Sequence, residues 1–270
     1  MLAATGITDF EATSFVSPKH VPQLADAAEL LRQLPADPRY RFTVLVPNER
    51  GYERAVAAGA RGVAVVLSAT DGLNRKNFNM SLAQATEVCE QVVRRAKQDG
   101  LFARAYIAAA FACPFEGLTP PKVLFGLLER MRAAGADELA IADTIGAANP
   151  KQVRDVFKTA VANYGADQVA AHFHDTRGLG SALAWTAAEA GVRRFDSSIA
   201  GLGGCPFAPG ASGNVATEDL VFMFNDVGFE TGIDFEVLLA AVETAARMLG
   251  AAHGGHIVPW SRSRRRDAAE

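Results

Sequence analysis

Ala133-Ala-Gly-Ala-Asp-Glu-Leu-Ala-Ile141 runs from the end of an amphipathic helix, through a glycine, into an apolar strand. A glycine just past a helix adopts the left-handed conformation that closes the helix, and β-rich residues behind it begin a strand. The same arrangement recurs at three other places, Ala4–Glu11, Ala57–Val65 and Glu189–Asp196. The repeat predicts a fold of alternating helices and strands.

Further apolar runs of strand length lie between these joints and bring the predicted number of strands to seven: Phe42–Val46, Ala103–Ala110 and Val169–His174. Helical periodicity fills the remaining segments, at Val21–Leu34, Leu82–Lys97, Lys122–Ala134, Pro150–Tyr164, Ser181–Ala190, Thr217–Val227 and Asp234–Leu249. Strict alternation of this kind implies parallel strands that are buried on both faces.

Such a pattern forms either an open doubly wound sheet or a closed barrel. No Gly-x-Gly-x-x-Gly turn follows the first strand, and polar residues collect at the carboxyl ends of many strands, which favours a TIM-type (β/α)8 barrel. A barrel of this type needs eight strands. Because Leu2–Thr5 look like the last turn of a helix, we expect the first strand to be missing. The strands of Glu11 and Phe195 would then have unpaired edges.

The composition favours one domain and small partners. The 270 residues are 49% hydrophobic, enough for a large core. We expect a barrel domain over 1–250 and a flexible tail over 251–270, where Arg262–Arg266 is basic. A net charge of −3 predicts no binding to nucleic acid or membrane, and leaves small molecules or a second copy, as a homodimer. Without a signal peptide or a spanning apolar run, the chain is expected to be cytoplasmic.

The three cysteines are odd in number and widely spaced, which argues against a disulfide framework. Cys89 lies in an amphipathic helix and is predicted to be a core residue, whereas the position of Cys113 after a strand is ambiguous. Cys205 lies in the loop Gly201–Gly213, which is too rich in Gly and Pro for a regular element. It is either a proton carrier on a mobile lid or an unreactive loop thiol.

The strongest local motif is His172-Phe-His-Asp175. Residues two apart on a strand point to the same face, so both imidazoles should enter one cavity at the carboxyl end of a barrel strand. Histidine is the commonest transition-metal ligand, which predicts a metal site, although two structurally packed histidines remain the alternative. Asn214, beyond the last strand, is either a residue of a helix N-terminus or an amide ligand.

Glu11 and Asp143 each close an apolar strand. A carboxylate at this level of a barrel is costly to bury unless it is paired. Each is therefore a candidate site residue, with a structural ion pair as the alternative.

Taken together, these segments resemble the 3-hydroxy-3-methylglutaryl-CoA (HMG-CoA) lyase family, over the chain from its first residues to about Leu249. The segments that carry the resemblance are Glu11–Lys19, Asp143–Gly146, His172–Asp175, Ser198–Phe207 and Gly210–Asp219. The Ser198–Phe207 run, with its cysteine between glycine and proline, is the most specific of them.

The resemblance implies a divalent cation, Mg²⁺ or Mn²⁺, held by His172, His174 and Asn214. It implies that Cys205 donates or accepts a proton, that Glu11 and Asp143 support catalysis, and that the substrate is an acyl-CoA. The implied reaction cleaves HMG-CoA to acetyl-CoA and acetoacetate. CoA needs basic or amide groups at the barrel rim, where Arg75, Lys76 and Asn77, expected in a loop after a strand, are candidates.

One feature of the family has no counterpart here. The family's first strand ends in an Arg-Asp pair that supplies a fourth ligand and a catalytic arginine. Two other functions therefore stay open: a lyase for a different 3-hydroxy-acyl-CoA, and a non-catalytic barrel remnant that binds acyl-CoA without turnover. Since His172, His174 and Asn214 are neutral, we expect weak Mg²⁺ binding and better tolerance of Zn²⁺.

Overall fold

The structure is a computed structural model that describes residues 1–203, 213–250 and 254–267, with side chains up to 264 in the last range. Seven parallel strands form one sheet in the order β1-β2-β3-β4-β7-β8-β9. Their bounds are β1 (Asp9–Ser14), β2 (Arg41–Leu45), β3 (Gly62–Ser68), β4 (Phe102–Ala108), β7 (Glu138–Asp143), β8 (Val169–Phe173) and β9 (Arg194–Asp196). The short strands β5 (Ala112–Cys113) and β6 (Gly117–Leu118) form an antiparallel hairpin.

Helices connect the strands and complete the chain. They are α1 (Ala27–Gln33), α2 (Glu49–Ala57), α3 (Asp71–Phe78), α4 (Leu82–Gln98), α5 (Pro121–Ala134), α6 (Pro150–Tyr164), α7 (Gly180–Glu189), α8 (Thr217–Asp226), α9 (Phe235–Leu249) and α10 (Ile257–Asp267). Three short 3-10 helices lie at Leu2–Thr5, Pro22–Leu24 and Ile199–Gly201. Within the described ranges, no helix is both long enough and apolar enough to cross a membrane.

The glycine joints behave as the sequence predicts. Gly6, Gly59, Gly135 and Gly191 all have positive φ, between 91° and 104°. Gly135 ends α5, and its backbone N–H donates to the carbonyl oxygen of Arg132. A side chain would be strained in this conformation, so glycine allows the chain to turn directly from each helix into the next strand. The seven predicted strands and their parallel order are confirmed.

The sheet curls around a polar interior. Its outer face packs against the helices, through buried residues such as Ile107, Ile141 and Phe173. Its inner face carries small apolar residues around Tyr106, namely Ala64, Ala140 and Ala170. Residues of β1 and of β9 line the same interior cavity of about 610 Å³, so the two edges of the sheet face each other across it. In the described part of the chain β1 and β9 do not pair, which leaves the barrel open.

Within the segment predicted as a flexible C-terminal tail, residues 257–267 form α10. The segment before α10 is held on α8 by carboxylates. Glu218 accepts from the N–H of Gly255 at 2.6 Å, and Asp219 accepts from His256 and Ile257, both at 2.9 Å. Glu218 and Asp219 lie in the first turn of α8, where acidic residues are common, so nothing in the sequence indicates that they also bind a distant segment.

The two unpaired edges predict self-association. We expect residues 1–270 to form dimers or larger species whose proportion rises with concentration, because unpaired N–H and C=O groups of β1 and β9 offer a template for another strand. Size-exclusion chromatography with light scattering over a range of concentrations measures this. A monomer at every concentration would contradict it.

Candidate active site

Two histidines meet at the carboxyl end of β8. His172 lies within β8 and His174 directly follows it, and their ring centroids are 5.3 Å apart. His172 and Asn214 line the interior cavity, and His174 is buried beside them. The two-residue spacing therefore places both rings on one face of the strand, as the sequence predicts.

Asn214 reaches this place because its segment is bound to the ends of two strands. The N–H of Val215 donates to the carbonyl of Phe173 at 3.0 Å, and the N–H of Ser198 donates to the carbonyl of Val215 at 3.2 Å. An antiparallel bridge pairs Asn214 directly with His174. The segment thus extends the site from β8 toward the residues that follow β9.

Of the two polar atoms of the Asn214 side chain, one has a hydrogen-bond partner among the described residues and the other has none. Its Nδ2 donates to the carbonyl of Leu202 at 2.9 Å, which fixes the orientation of the amide. Its Oδ1 is buried and has no hydrogen-bond partner among the described residues. A buried oxygen without a partner costs about 1–3 kcal/mol. Helix α8 begins only at Thr217, with Ala216 as its N-cap, so Asn214 does not cap it.

The donor set therefore suits a divalent cation. Two imidazoles and an unpartnered amide oxygen are ligands that transition metals accept, and binding would relieve the cost of the buried oxygen. Within the described ranges, no three His, Cys, Asp or Glu side chains converge as a metal-binding group. The proposed ligand set therefore contains no carboxylate among the described residues, and its role stays a prediction.

An ion-pair network lies behind His172. Asp196 Oδ2 lies 3.1 Å from His172 Nδ1, and Asp196 Oδ1 accepts from Arg104 Nη2 at 2.6 Å. The Nε of Arg104 lies 2.9 Å from Glu138 Oε1, although its N–H is not aligned for a hydrogen bond. Arg194 adds a longer contact to Glu138, at 3.5 Å.

The network fixes the charge of its members. Burial acts to raise the pKa of Asp196, but the positive charge of Arg104 and the contact with His172 outweigh it and hold this pKa well below its ordinary value. Burial acts to lower the pKa of Arg104, yet the neighbouring carboxylates raise it above its ordinary value. Asp196 and Arg104 thus remain a charged pair inside the barrel.

Tyr106 packs against both the histidine and the arginine. Its ring meets the ring of His172 edge-on, with centroids 5.8 Å apart, and Arg104 lies over its face at 4.5 Å. Burial, together with the negative charges of Asp196 and Glu11, raises the pKa of Tyr106 well above its ordinary value. Tyr106 is therefore a neutral hydroxyl that can donate a hydrogen bond in the cavity.

Glu11 lies at the wall of the interior cavity, where solvent still reaches it. The expectation that it closes its strand is wrong, because β1 continues to Ser14. Its enclosure by the curled sheet raises its pKa, and the charge of Asp196 adds to this effect. Arg104, Tyr106 and His172 oppose it. Glu11 therefore takes up a proton more readily than an ordinary glutamate does.

Asp143 lies outside the wall of this cavity. Its carboxylate is fully buried and accepts from the backbone N–H groups of Ala147 at 2.8 Å and Ala148 at 2.9 Å. Burial raises its pKa, and these hydrogen bonds oppose the shift. The structure thus gives Asp143 a part in shaping the loop after β7. A part in catalysis stays a prediction.

The residues expected at the CoA rim lie on a helix, so the prediction of a loop is wrong. Arg75, Lys76 and Asn77 belong to α3, which follows the carboxyl end of β3. Arg75 forms an ion pair with Asp71 and is well exposed. None of the three lines the interior cavity. They lie at the same end of the sheet as the two histidines, and their contact with CoA stays a prediction.

Two of the three cysteines are buried, and the third lies outside the described residues. Cys89 is buried in α4, which confirms the core prediction, and burial raises the pKa of its thiol to about 12. Cys113 is also buried, beside Leu73 and Ala109. Cys205 lies outside the described residues, and its proposed role therefore depends on the sequence.

Sequence reasoning missed Arg104, Tyr106, Glu138 and Asp196. A signal for the first two was present, because Arg104 and Tyr106 stand two apart in an otherwise apolar strand, as the two histidines do. Asp196 closes the last strand in the same way that Asp143 closes β7. Glu138 gave no comparable signal, because it begins its strand.

A curled parallel sheet with polar side chains at the carboxyl ends of its strands is the architecture of a barrel enzyme of the (β/α) type. The HMGL-like family model matches residues 1–245. Hydroxymethylglutaryl-CoA lyase of Pseudomonas mevalonii is 41% identical over 252 residues, which are 93% of this chain and 84% of that protein. (R)-citramalyl-CoA lyase of Chloroflexus aurantiacus is 42% identical over 259 residues. The match covers 92% of this chain and 82% of that protein.

A solved structure agrees with these relatives. The HMG-CoA lyase from Acinetobacter baumannii, in complex with coenzyme A and 3-methylmalate, superposes with a TM-score of 0.92 at 38% identity. The match covers 96% of this chain and 84% of that one. The chain belongs to the HMGL-like family.

The proposed ligand set predicts a double-variant phenotype. Replacing His172 and His174 together by alanine should abolish Mn²⁺ binding in calorimetry, because the amide oxygen of Asn214 alone cannot hold the ion. The exposed His20→Ala variant should bind Mn²⁺ as the unchanged chain does. Equal affinity in the double variant would rule out the assignment.

Proposed function

We propose that this chain is a metal-dependent lyase that cleaves HMG-CoA to acetyl-CoA and acetoacetate. The observation that carries the proposal is the convergence of His172, His174 and the unpartnered Oδ1 of Asn214. High-coverage similarity to HMG-CoA lyases supports the reaction class. A second candidate substrate, (R)-citramalyl-CoA, is supported by the (R)-citramalyl-CoA lyase, which is 42% identical to this chain.

A divalent cation, Mg²⁺ or Mn²⁺, would be held by His172, His174 and Asn214. When bound, it supplies a Lewis acid that polarises oxygens of the substrate. The reaction itself requires that the proton of the 3-hydroxyl group leaves and that its oxygen forms the new carbonyl of acetoacetate. The bond between C2 and C3 then breaks, and its electron pair passes to the acetyl-CoA fragment, which takes up a proton at C2.

The chain's own residues serve these proton movements. Glu11, with its raised pKa, faces the cavity and can hold a proton near the substrate. The neutral hydroxyl of Tyr106 can donate a hydrogen bond to oxygen as negative charge develops on it. Cys205 lies outside the described residues, and the family resemblance alone makes it a proton donor or acceptor.

We expect residues 1–270 and an amino-terminally extended chain to differ in their rate of HMG-CoA cleavage. The resemblance implies that the family's first strand adds an arginine and an anionic ligand. Residues 1–270 should therefore be slow with HMG-CoA and Mg²⁺, and a chimaera extended at its amino end by a relative's βα segment should be faster by about 10²-fold or more. Steady-state assays with HMG-CoA and (R)-citramalyl-CoA measure both, with and without EDTA.

Each outcome of these assays has a separate meaning. Higher kcat/KM for (R)-citramalyl-CoA would replace the proposed substrate. CoA binding without turnover in the chimaera would favour a non-catalytic barrel. Equal rates for the two chains would contradict the expected contribution of the added strand.

Cys205 and Cys89 form a matched pair for a second test. In the extended chain, Cys205→Ser should lower kcat by about 10²–10⁴-fold, because a serine hydroxyl is a poor proton carrier, while the melting temperature stays nearly unchanged. Cys89→Ser should lower the melting temperature with little effect on kcat, since its thiol is buried in α4. A large stability loss in Cys205→Ser would show a packed structural thiol.

A further inference from the structure

The contact between Asp196 and His172 joins the ion-pair network to the candidate metal site. Asp196 uses one carboxylate oxygen for Arg104 and the other for His172 Nδ1, at 2.6 and 3.1 Å. Since an ionised carboxylate only accepts hydrogen bonds, the proton of a neutral His172 must lie on Nδ1. The other ring nitrogen, Nε2, then carries the free lone pair.

We propose that Asp196 is the positioning residue of the metal site, selecting the tautomer of His172 whose Nε2 binds the divalent cation. This inference rests on the proposed function, because it needs a cation at His172. Contacts of this kind fix the ring orientation of a metal-binding histidine and make the imidazole a better donor. Here the contact also brings negative charge next to a ligand set that is otherwise neutral.

Arg104 keeps Asp196 in this orientation. Its Nη2 binds Oδ1, while its Nε lies against Glu138 and its guanidinium covers the ring of Tyr106. Arg104 is therefore held on three sides, and Asp196 cannot turn away from His172 without weakening its contact with the buried guanidinium. Losing that partner would be costly inside the barrel.

The same geometry predicts what an amide would do at position 196. In Asp196→Asn, Arg104 can only donate, so it would keep the amide oxygen. The amide nitrogen would then face His172 Nδ1, which must become an acceptor. The proton moves to Nε2, the atom needed by the cation. An Asp-to-Asn change beside the histidine of a serine protease acts through the wrong tautomer in this way.

The tautomer of His172 can be measured by NMR in the metal-free chain. The chain contains five histidines. Selective ¹⁵N-histidine labelling, with His172→Gln to assign the signal, gives the protonation of each ring nitrogen by NMR at about pH 8, where free imidazole is neutral. We expect His172 to carry its proton on Nδ1 in the unchanged chain and on Nε2 in Asp196→Asn. A proton on Nε2 in the unchanged chain would overturn the inference without any variant.

Metal affinity provides the second readout. Mn²⁺ titration should show binding weakened about 10–100-fold in Asp196→Asn. The matched control is Glu138→Gln, which removes charge from the same network at the far side of Arg104 but does not touch His172. It should keep the proton of His172 on Nδ1 and weaken Mn²⁺ binding by much less than Asp196→Asn does, with circular dichroism confirming the fold of each variant.

The outcomes separate the two proposals. No Mn²⁺ binding by the unchanged chain would defeat the proposed metal site. Normal binding by the unchanged chain and equal binding by Asp196→Asn would defeat the positioning role alone. Equal losses in Asp196→Asn and Glu138→Gln would show a general effect of network charge, and would also overturn the positioning role.

Discussion

The buried ion pair of Arg104 and Asp196 is the contact on which the rest of the site depends. Inside a curled sheet, an isolated charge costs several kcal/mol of desolvation, so each of these groups needs the other. Their contact joins the side chains of β4 and β9, two strands that are not neighbours in the sheet, inside one cavity. It also leaves the second oxygen of Asp196 directed at His172.

Two further features of the site follow from that arrangement. The network occupies the inner face below the histidines, while small alanines on β3, β7 and β8 leave room for the ring of Tyr106. Above it, the segment around Asn214 bridges the ends of β8 and β9 and pairs with His174, and the amide oxygen of Asn214 is buried without a partner among the described residues. A preorganised site of this kind would need little reorganisation to take up the proposed cation.

Much of this architecture could be predicted from the sequence, because it depends on local chemistry. The joint glycines, the strand-length apolar runs and the spacing of His172 and His174 each report a short-range constraint. The contact between Arg104 and Asp196 could not be predicted, because 92 residues separate them and strands buried on both faces do not reveal which face turns inward. Helices α3 and α10 were missed because they are short or polar, and α10 is held by carboxylates on another helix.

The central claim is that His172, His174 and Asn214 form one cation site. Anomalous diffraction from crystals soaked in Mn²⁺ tests it most directly. The account predicts a single strong peak within coordination distance of a ring nitrogen of each histidine and of Asn214 Oδ1, at about 2.0–2.3 Å. A peak elsewhere in the cavity, or none at these three atoms under full loading, would contradict it.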